Sequence, residues 1–275
     1  LVRDSVESIR ALPDVWRALK TMLRAKGTKH RHTSVGPSRL RRPRHEPLES
    51  VVSIPLVYVA IDKQVCDERA ENFGVKINTL LTAFAARLAF QIGRVDAAGR
   101  VELVLPVSDR RQGDWRGNAL QAVTLRIDPH TCLLDLPKLQ RERRSLIDSV
   151  LRDGHELSAL LPLIPYLPLW LVRHLEKQVV SGDISVGCSF AVEFPPELTR
   201  PFGEVSFFQL SSLERFTTSA LNRLGGRLLI VFYRLDRSVN LSISCYMQDR
   251  ITSHAELVPC VKEALADLGI SATVS

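Results

Sequence analysis

The sequence lacks any run of about 18 uninterrupted apolar residues, the length that a membrane-spanning helix requires. It also lacks the spaced motifs of several common enzyme classes: no G-x-S-x-G elbow, P-loop, Rossmann glycine fingerprint or H-E-x-x-H pair occurs. The sequence therefore gives no support for a serine hydrolase, a nucleotide-binding protein or a zinc protease of the kinds that carry these motifs. What is left is an ordinary globular composition over 275 residues, 45% apolar and 24% charged.

Cysteine is scarce and scattered, and no two cysteines form a Cys-x-x-Cys pair. An odd, dispersed set fits reduced thiols in the core of a cytosolic protein better than a disulfide framework or a zinc site. The first ten residues carry charges where a signal peptide has its apolar core, and the chain does not begin with Met, which favours a fragment or a processed product. The five cysteines are Cys66, Cys132, Cys188, Cys245 and Cys260.

Positive charge is concentrated near the start of the chain. Residues 1–50 hold 12 Lys and Arg against 5 Asp and Glu, so they account for the whole net charge of +7. The cluster at 30–47 fits a solvated linker, and it also fits attraction to anionic lipid headgroups or to the phosphates of coenzyme A. Nucleic-acid binding is not predicted, because no aromatic residues are interleaved with the charges. The candidate residues for contact with phosphate or lipid headgroups are Arg39, Arg41, Arg42 and Arg44.

Hydrophobic periodicity predicts a mixture of helices and strands. Apolar residues at helical spacing indicate a helix over 4–25, and the basic segment after it reads as a linker as far as Pro47. Pro55, within the first strand, indicates an edge or a bulge. The mixture predicts a layered α/β or α+β domain. Further helices are predicted at 62–72, 77–93, 133–150, 156–178 and 254–268, and strands at 51–61, 101–107, 119–127, 183–192, 204–211, 226–235 and 238–247.

The most informative stretch runs from Val75 to Leu120. Asn78 stands where a long apolar helix begins, and its side-chain oxygen can cap the helix by accepting from a free N–H of the first turn. A strand then ends in Pro-Val-Ser at 106–108, and after a charged turn Gly117 and Asn118 precede the next strand. Turn chemistry alone explains that pair, because Gly and Asn both tolerate positive φ. The order of these pieces is more specific than any one of them.

In that order the pieces resemble the C-terminal lobe of the wax ester synthase / diacylglycerol acyltransferase family. The resemblance implies an α/β, chloramphenicol-acetyltransferase-like lobe over 51–275, with a mixed sheet flanked by helices. Residues 1–50 would be a helix plus a basic crossover linker. The segment 183–190 is similar in placement to a family strand that ends in Ser-Asn, although here Cys188 is read as an ordinary buried cysteine. The resemblance implies a substrate tunnel lined by Asn78, Ser108, Gly117, Asn118 and Ser189.

The histidines bear on activity. The family motif is two adjacent histidines, three variable residues and Asp-Gly, and its second histidine acts as the general base. The seven histidines of this chain include no adjacent pair, and Thr79 replaces the acidic partner of the family's Asn-Asp pair. The resemblance therefore implies the lobe of an acyl-CoA-dependent O-acyltransferase, of the kind that makes wax esters or triacylglycerol. This lobe has no catalytic residue of its own and is expected to be inactive alone.

Partners follow from the same resemblance. Acyl-CoA is the expected co-substrate and a lipid alcohol the acceptor, with no bound cofactor and no metal. An N-terminal lobe or a second copy would cover the exposed face, and the chain is expected in the cytoplasm with peripheral contact at the inner membrane face. The Leu- and Pro-rich stretch 157–175 fits an acyl tunnel, a membrane-docking surface or a plain buried hairpin. Two other functions stay open: a non-catalytic lobe that binds acyl chains or a partner, and a condensation-type acyltransferase that uses carrier-bound thioesters.

Overall fold

The computed structural model describes residues 51–110, 113–115, 119–153, 168–169, 172, 185–193, 215–235 and 237–275. Within these ranges the chain forms a mixture of strands and helices, as the periodicity predicts. The strands are β1 (Val51–Val52), β2 (Leu56–Asp62), β3 (Val101–Ser108), β4 (Leu120–Ile127), β5 (Val186–Glu193), β6 (Phe216–Thr217), β7 (Arg227–Arg234), β8 (Ser238–Tyr246) and β9 (Thr273–Val274). The helices are α1 (Lys63–Asn72), α2 (Ile77–Gln91), α3 (Leu136–Asp153), α4 (Thr218–Arg223) and α5 (His254–Asp267).

A mixed sheet forms the centre of the described fold. Its strand order is β4-β3-β5-β7-β8-β2-β9, while β1 and β6 pair separately. The pairs β3–β5 and β5–β7 are parallel, with Leu103 opposite Val186 and Cys188 opposite Ile230. The other neighbours in the large sheet are antiparallel. The predicted class, a mixed α/β sheet flanked by helices, is thus confirmed.

The hydrophobic core lies between one face of this sheet and the helices. Strand residues alternate in burial because successive side chains point to opposite faces, and every second residue of β7 from Leu228 to Phe232 joins the core. The helix α2 is buried on almost all sides, with eleven of its fifteen residues buried. Such a helix is apolar all round because it is covered both by the sheet and by other helices.

Arginine side chains close the ends of several elements by donating to backbone carbonyls. Arg250 Nη1 donates to the Ile92 carbonyl just after α2, and Arg69 Nε donates to the Leu268 carbonyl just after α5. The nearly inaccessible Arg94 donates to the carbonyls of Ser185 and Gly225, at 3.1 and 3.0 Å. These contacts satisfy carbonyl groups that have no partner at the end of a helix or the start of a strand.

Several predicted boundaries shift in the structure. The predicted strand 51–61 is interrupted at Pro55: β1 pairs with β6, whereas β2 joins the large sheet. The predicted helix 133–150 begins and ends three residues later, as α3. The short elements β6, α4 and β9 were not predicted. The predicted elements at 4–25 and 204–211, and most of 156–178, lie outside the described residues.

Among the described residues, no single helix has both the length and the apolar character needed to cross a membrane. The consecutive helices α1 and α2 reach that length and apolar character only when they are taken together, and they are bent by 91° at the break between them. This statement concerns their length and composition alone.

Candidate functional site

The parallel strands of the sheet finish at one edge, which we call the carboxyl end. The strands β3, β5 and β7 run in the same direction, so Ser108, Phe190 and Arg234 all lie toward this edge. The helix α2 precedes β3, and the turn after it contacts the starts of β5 and β7 through Arg94. Its first turn therefore lies at the carboxyl end. Ligands of open α/β sheets bind outside the carboxyl ends of such strands.

Asn78 lies in the first turn of α2 and does not cap it. The N-cap residue is Lys76, and no side chain from the α2 segment accepts a hydrogen bond at the cap. The Asn78 carbonyl accepts from Thr82 Oγ1 at 2.6 Å, and its side chain is partly exposed. The predicted N-cap role for Asn78 is therefore wrong, because the helix begins one residue earlier, at Ile77, and another residue takes the cap. Its predicted place beside a substrate tunnel stays a prediction.

Gln140 of α3 supplies that cap from another part of the chain. Its side-chain Oε1 accepts from the Lys76 backbone N–H at 2.6 Å and from Thr79 Oγ1 at 3.2 Å. One turn later, the Arg143 guanidinium lies 5.0 Å from the centre of the Phe190 ring on β5. The helix α3 therefore bridges the first turn of α2 and the carboxyl end of β5.

The aromatic residues beneath this bridge form a continuous stack. The rings of Phe190 and Phe232 are stacked, with centroids 4.9 Å apart and planes 11° apart. Phe84 of α2 meets Phe232 edge to face at 6.4 Å. Because Phe84 and Phe232 are both buried, the stack fixes α2 against the two central strands.

The structure places the other predicted site residues as follows. Ser108 is exposed at the end of β3, where its Oγ accepts from the Arg110 backbone N–H at 3.3 Å. Ser189 is half-buried on β5, opposite Val231 of β7 and on the face away from the helices. Asn78, Ser108 and Ser189 thus share one end of the sheet, although Ser108 and Ser189 belong to its other face. Gly117, Asn118, Arg39, Arg41, Arg42 and Arg44 lie outside the described residues.

Cys188 has the character of a structural cysteine. Its side chain is inaccessible, and burial raises the pKa of the thiol well above its usual range despite the opposing effect of Arg143. A nucleophilic cysteine needs a thiolate and access to substrate. Cys188 has neither, in agreement with its sequence interpretation.

Gln140 and Arg143 were missed by the sequence interpretation, which treated 133–150 only as a charged helix. The spacing of the apolar residues in α3 could have pointed to Arg143. Leu136 and Leu139 are buried, and Ile147 and Val150 pack against the core, so these four residues mark the inner stripe of α3. Arg143 falls between them at helical spacing, where an apolar residue is expected. A cation within an apolar stripe marks a position worth testing for function.

Replacement of Gln140 by alanine is expected to lower the free energy of unfolding by about 1 kcal/mol, the typical cost of losing a helix cap. The loss arises because the Lys76 N–H and the Thr79 hydroxyl give up their acceptor. Chemical denaturation with circular dichroism measures it. The matched control is Lys138→Ala on the same helix, since Lys138 is exposed and only 4.0 Å from Glu142. That change should cost under about 0.5 kcal/mol, and equal losses for both variants would contradict the capping role.

Comparison with known proteins identifies a fold. No family model matches the chain, and no curated protein matches it. Among solved structures, the PapA2 acyl transferase is similar with a TM-score of 0.50 and 14% identity, covering 80% of this chain and 44% of that one. The wax ester synthase/diacylglycerol acyltransferase from Marinobacter aquaeolei VT8 is similar with a TM-score of 0.48 and 10% identity, covering 98% and 57%. A chloramphenicol acetyltransferase has a TM-score of 0.44 and 14% identity, covering 79% and 88%.

These likenesses concern the fold alone, because every identity is low. The chain spans 44% of the length of the PapA2 acyl transferase and 57% of the wax ester synthase. The chain therefore has the general fold of an acyltransferase-like lobe.

Proposed function

We propose that this chain is the C-terminal lobe of an acyl-CoA-dependent O-acyltransferase of the wax ester synthase / diacylglycerol acyltransferase type. In this proposal acyl-CoA is the co-substrate and a lipid alcohol the acceptor. The observation that carries it is the meeting of α2, β3 and β5 at the carboxyl end of the mixed sheet, the edge at which ligands of open α/β sheets bind. In this proposal Asn78, Ser108 and Ser189 are candidates for contact with the substrate. The fold shared with the PapA2 acyl transferase supports it.

The general base has to come from outside the described part of this lobe. Transfer of an acyl group to an alcohol needs a base to take the hydroxyl proton, and histidine suits that step near neutral pH. The structure describes two histidines. His130 follows β4 and packs on Phe90 in the last turn of α2, with ring centroids 4.5 Å apart. His254 opens α5, beyond the end of β8, which is antiparallel to β7. Both therefore lie at the opposite end of the sheet from Asn78.

The function is tested by measuring ester formation from acyl-CoA and a long-chain alcohol, with and without a second lobe. The second lobe is taken from a wax ester synthase that carries the His-His-x-x-x-Asp-Gly motif. We expect ester to form only when both lobes are present. The control is the same second lobe with both histidines replaced by alanine, which should leave the rate at background because the proton acceptor is lost.

Two results would count against the proposal. If the chain alone formed ester well above background, the base would lie within it and the dependence on another lobe would be wrong. If the lobes formed a complex that made no ester, the chain would be a binding lobe and not a catalytic partner.

The exposed apolar side chains near the carboxyl end favour this second candidate, a partner-binding lobe without catalysis. Trp115, in the segment between β3 and β4, is 95% exposed, and Leu120 at the start of β4 is 61% exposed. An apolar surface that is exposed and contiguous marks an interaction site, and a partner that covered both side chains would bury it. The two candidates are separated by the reconstitution above, because both require a complex and only the first requires product.

A further inference from the structure

Arg143 is a cation on the inner stripe of α3, held against an aromatic surface. Its guanidinium lies 5.0 Å from the centre of the Phe190 ring, which in turn stacks on Phe232. Its Nε atom is buried and has no hydrogen-bond acceptor among the described residues. The contact with Phe190 holds the cation in place without satisfying its N–H groups in the way that a carboxylate would.

Other cations of α3 are placed differently. Lys138 lies 4.0 Å from Glu142 and Arg144 lies 3.8 Å from Asp148, and all four side chains are more than half exposed. In the described part of the chain, Arg143 has no such ion pair, and the ionisable group that acts on it is the Cys188 thiol. Burial lowers the pKa of the Arg143 guanidinium, yet an arginine stays protonated in proteins. A desolvated cation with a neutral neighbour is unfavourable unless an anion meets it.

We propose that Arg143 binds an oxyanion, the phosphate or carboxylate group of a ligand, at the carboxyl end of the sheet. The guanidinium suits this role because it presents several N–H donors in a rigid fork that matches both groups. The Phe190 ring packs against that fork, and the hydrogen bond from the Lys76 N–H to Gln140, one turn earlier, holds α3 beside the first turn of α2. The proposal does not depend on acyl transfer, since it concerns binding and is tested without a reaction.

The test is a thermal melt of the whole chain in inorganic phosphate, in acetate and in chloride, at equal ionic strength. For a bound oxyanion at ten times its Kd, the melting temperature should rise by about 3 to 6 °C above the chloride value. If the melting temperature rises to a plateau with phosphate, the group recognised is a phosphate; if it does so with acetate, the group is a carboxylate. Arg143→Met should abolish that rise, while its melting temperature in chloride should equal or exceed that of the unaltered chain, because an unpaired cation is replaced by an apolar side chain of similar length.

The control is Arg144→Met, whose side chain is 79% exposed. It should keep the full rise with the oxyanion. Retention of the rise by Arg143→Met would overturn the proposal, since binding would then belong to other cations such as those in residues 1–50. Absence of any rise in the unaltered chain would also overturn it. So would a clear fall in the chloride melting temperature of Arg143→Met, because Arg143 would then be a purely structural residue.

Discussion

Phe84→Ala is expected to lower the free energy of unfolding by about 3–5 kcal/mol, the usual cost of removing a large aromatic side chain from a packed core. Phe84 lies in the middle of α2, is completely inaccessible, and meets the edge of Phe232 on β7. Its removal takes away apolar burial and leaves a cavity between the helix and the sheet, which α2 cannot close because it is packed on almost all sides. Urea unfolding followed by circular dichroism measures the change.

Leu134→Ala is the matched control for that experiment. Leu134 is 84% exposed, so its truncation removes little burial and should alter the free energy of unfolding by under about 0.5 kcal/mol. A loss of under about 1 kcal/mol for Phe84→Ala would mean that α2 does not lie in the core as described. It would also remove the basis for placing Asn78 at the carboxyl end.

Gly226→Ala is expected to cost about 2–4 kcal/mol, through two effects that act together. Gly226 has a φ of +87°, which costs a residue with a side chain roughly 1–2 kcal/mol. An added Cβ would also lie 2.6 Å from the Tyr246 carbonyl oxygen, which belongs to the backbone and cannot turn aside. Overpacking of this kind adds about 1–3 kcal/mol. Thermal or urea unfolding measures the sum.

Gly99→Ala separates the two effects. Gly99 has a φ of +75°, but a Cβ placed there would meet nothing within 4 Å. This variant should lose only the backbone contribution, about 1 kcal/mol. If Gly226→Ala and Gly99→Ala proved equally stable, the close approach of Gly226 to the end of β8 would not exist in solution.

The elements that the sequence predicts best are those with strong local periodicity. The helix α2, the strands β3, β7 and β8 and the closing helix α5 all appear within one or two residues of their predicted positions. The two-residue strands β6 and β9 could not be predicted, because a strand of that length exists only through its pairing partner. Local pattern carries no information about a partner that is far away in the chain.

The candidate site shows the same limit at the level of single residues. Asn78 is the right kind of residue at almost the right position for a cap, yet Gln140, more than sixty residues later, takes that role. The packing of Arg143 on Phe190 likewise joins two elements that are remote in sequence. Sequence reasoning could place Asn78, Ser108 and Ser189 on a helix and two strands. Their common end of the sheet follows only from the parallel pairing of β3, β5 and β7.

The position of β2 has a consequence for how the protein is made. Its two neighbours in the sheet, β8 and β9, both come from the last part of the chain. During synthesis β2 emerges before both of them and has neither partner until β8 and β9 have left the ribosome. Long-range pairing of this kind slows folding, and the waiting strand exposes unpaired edges to other chains. We therefore expect the nascent chain to depend on chaperones until β8 and β9 have been synthesised. A stop codon before β8 should yield aggregates in place of a smaller folded lobe.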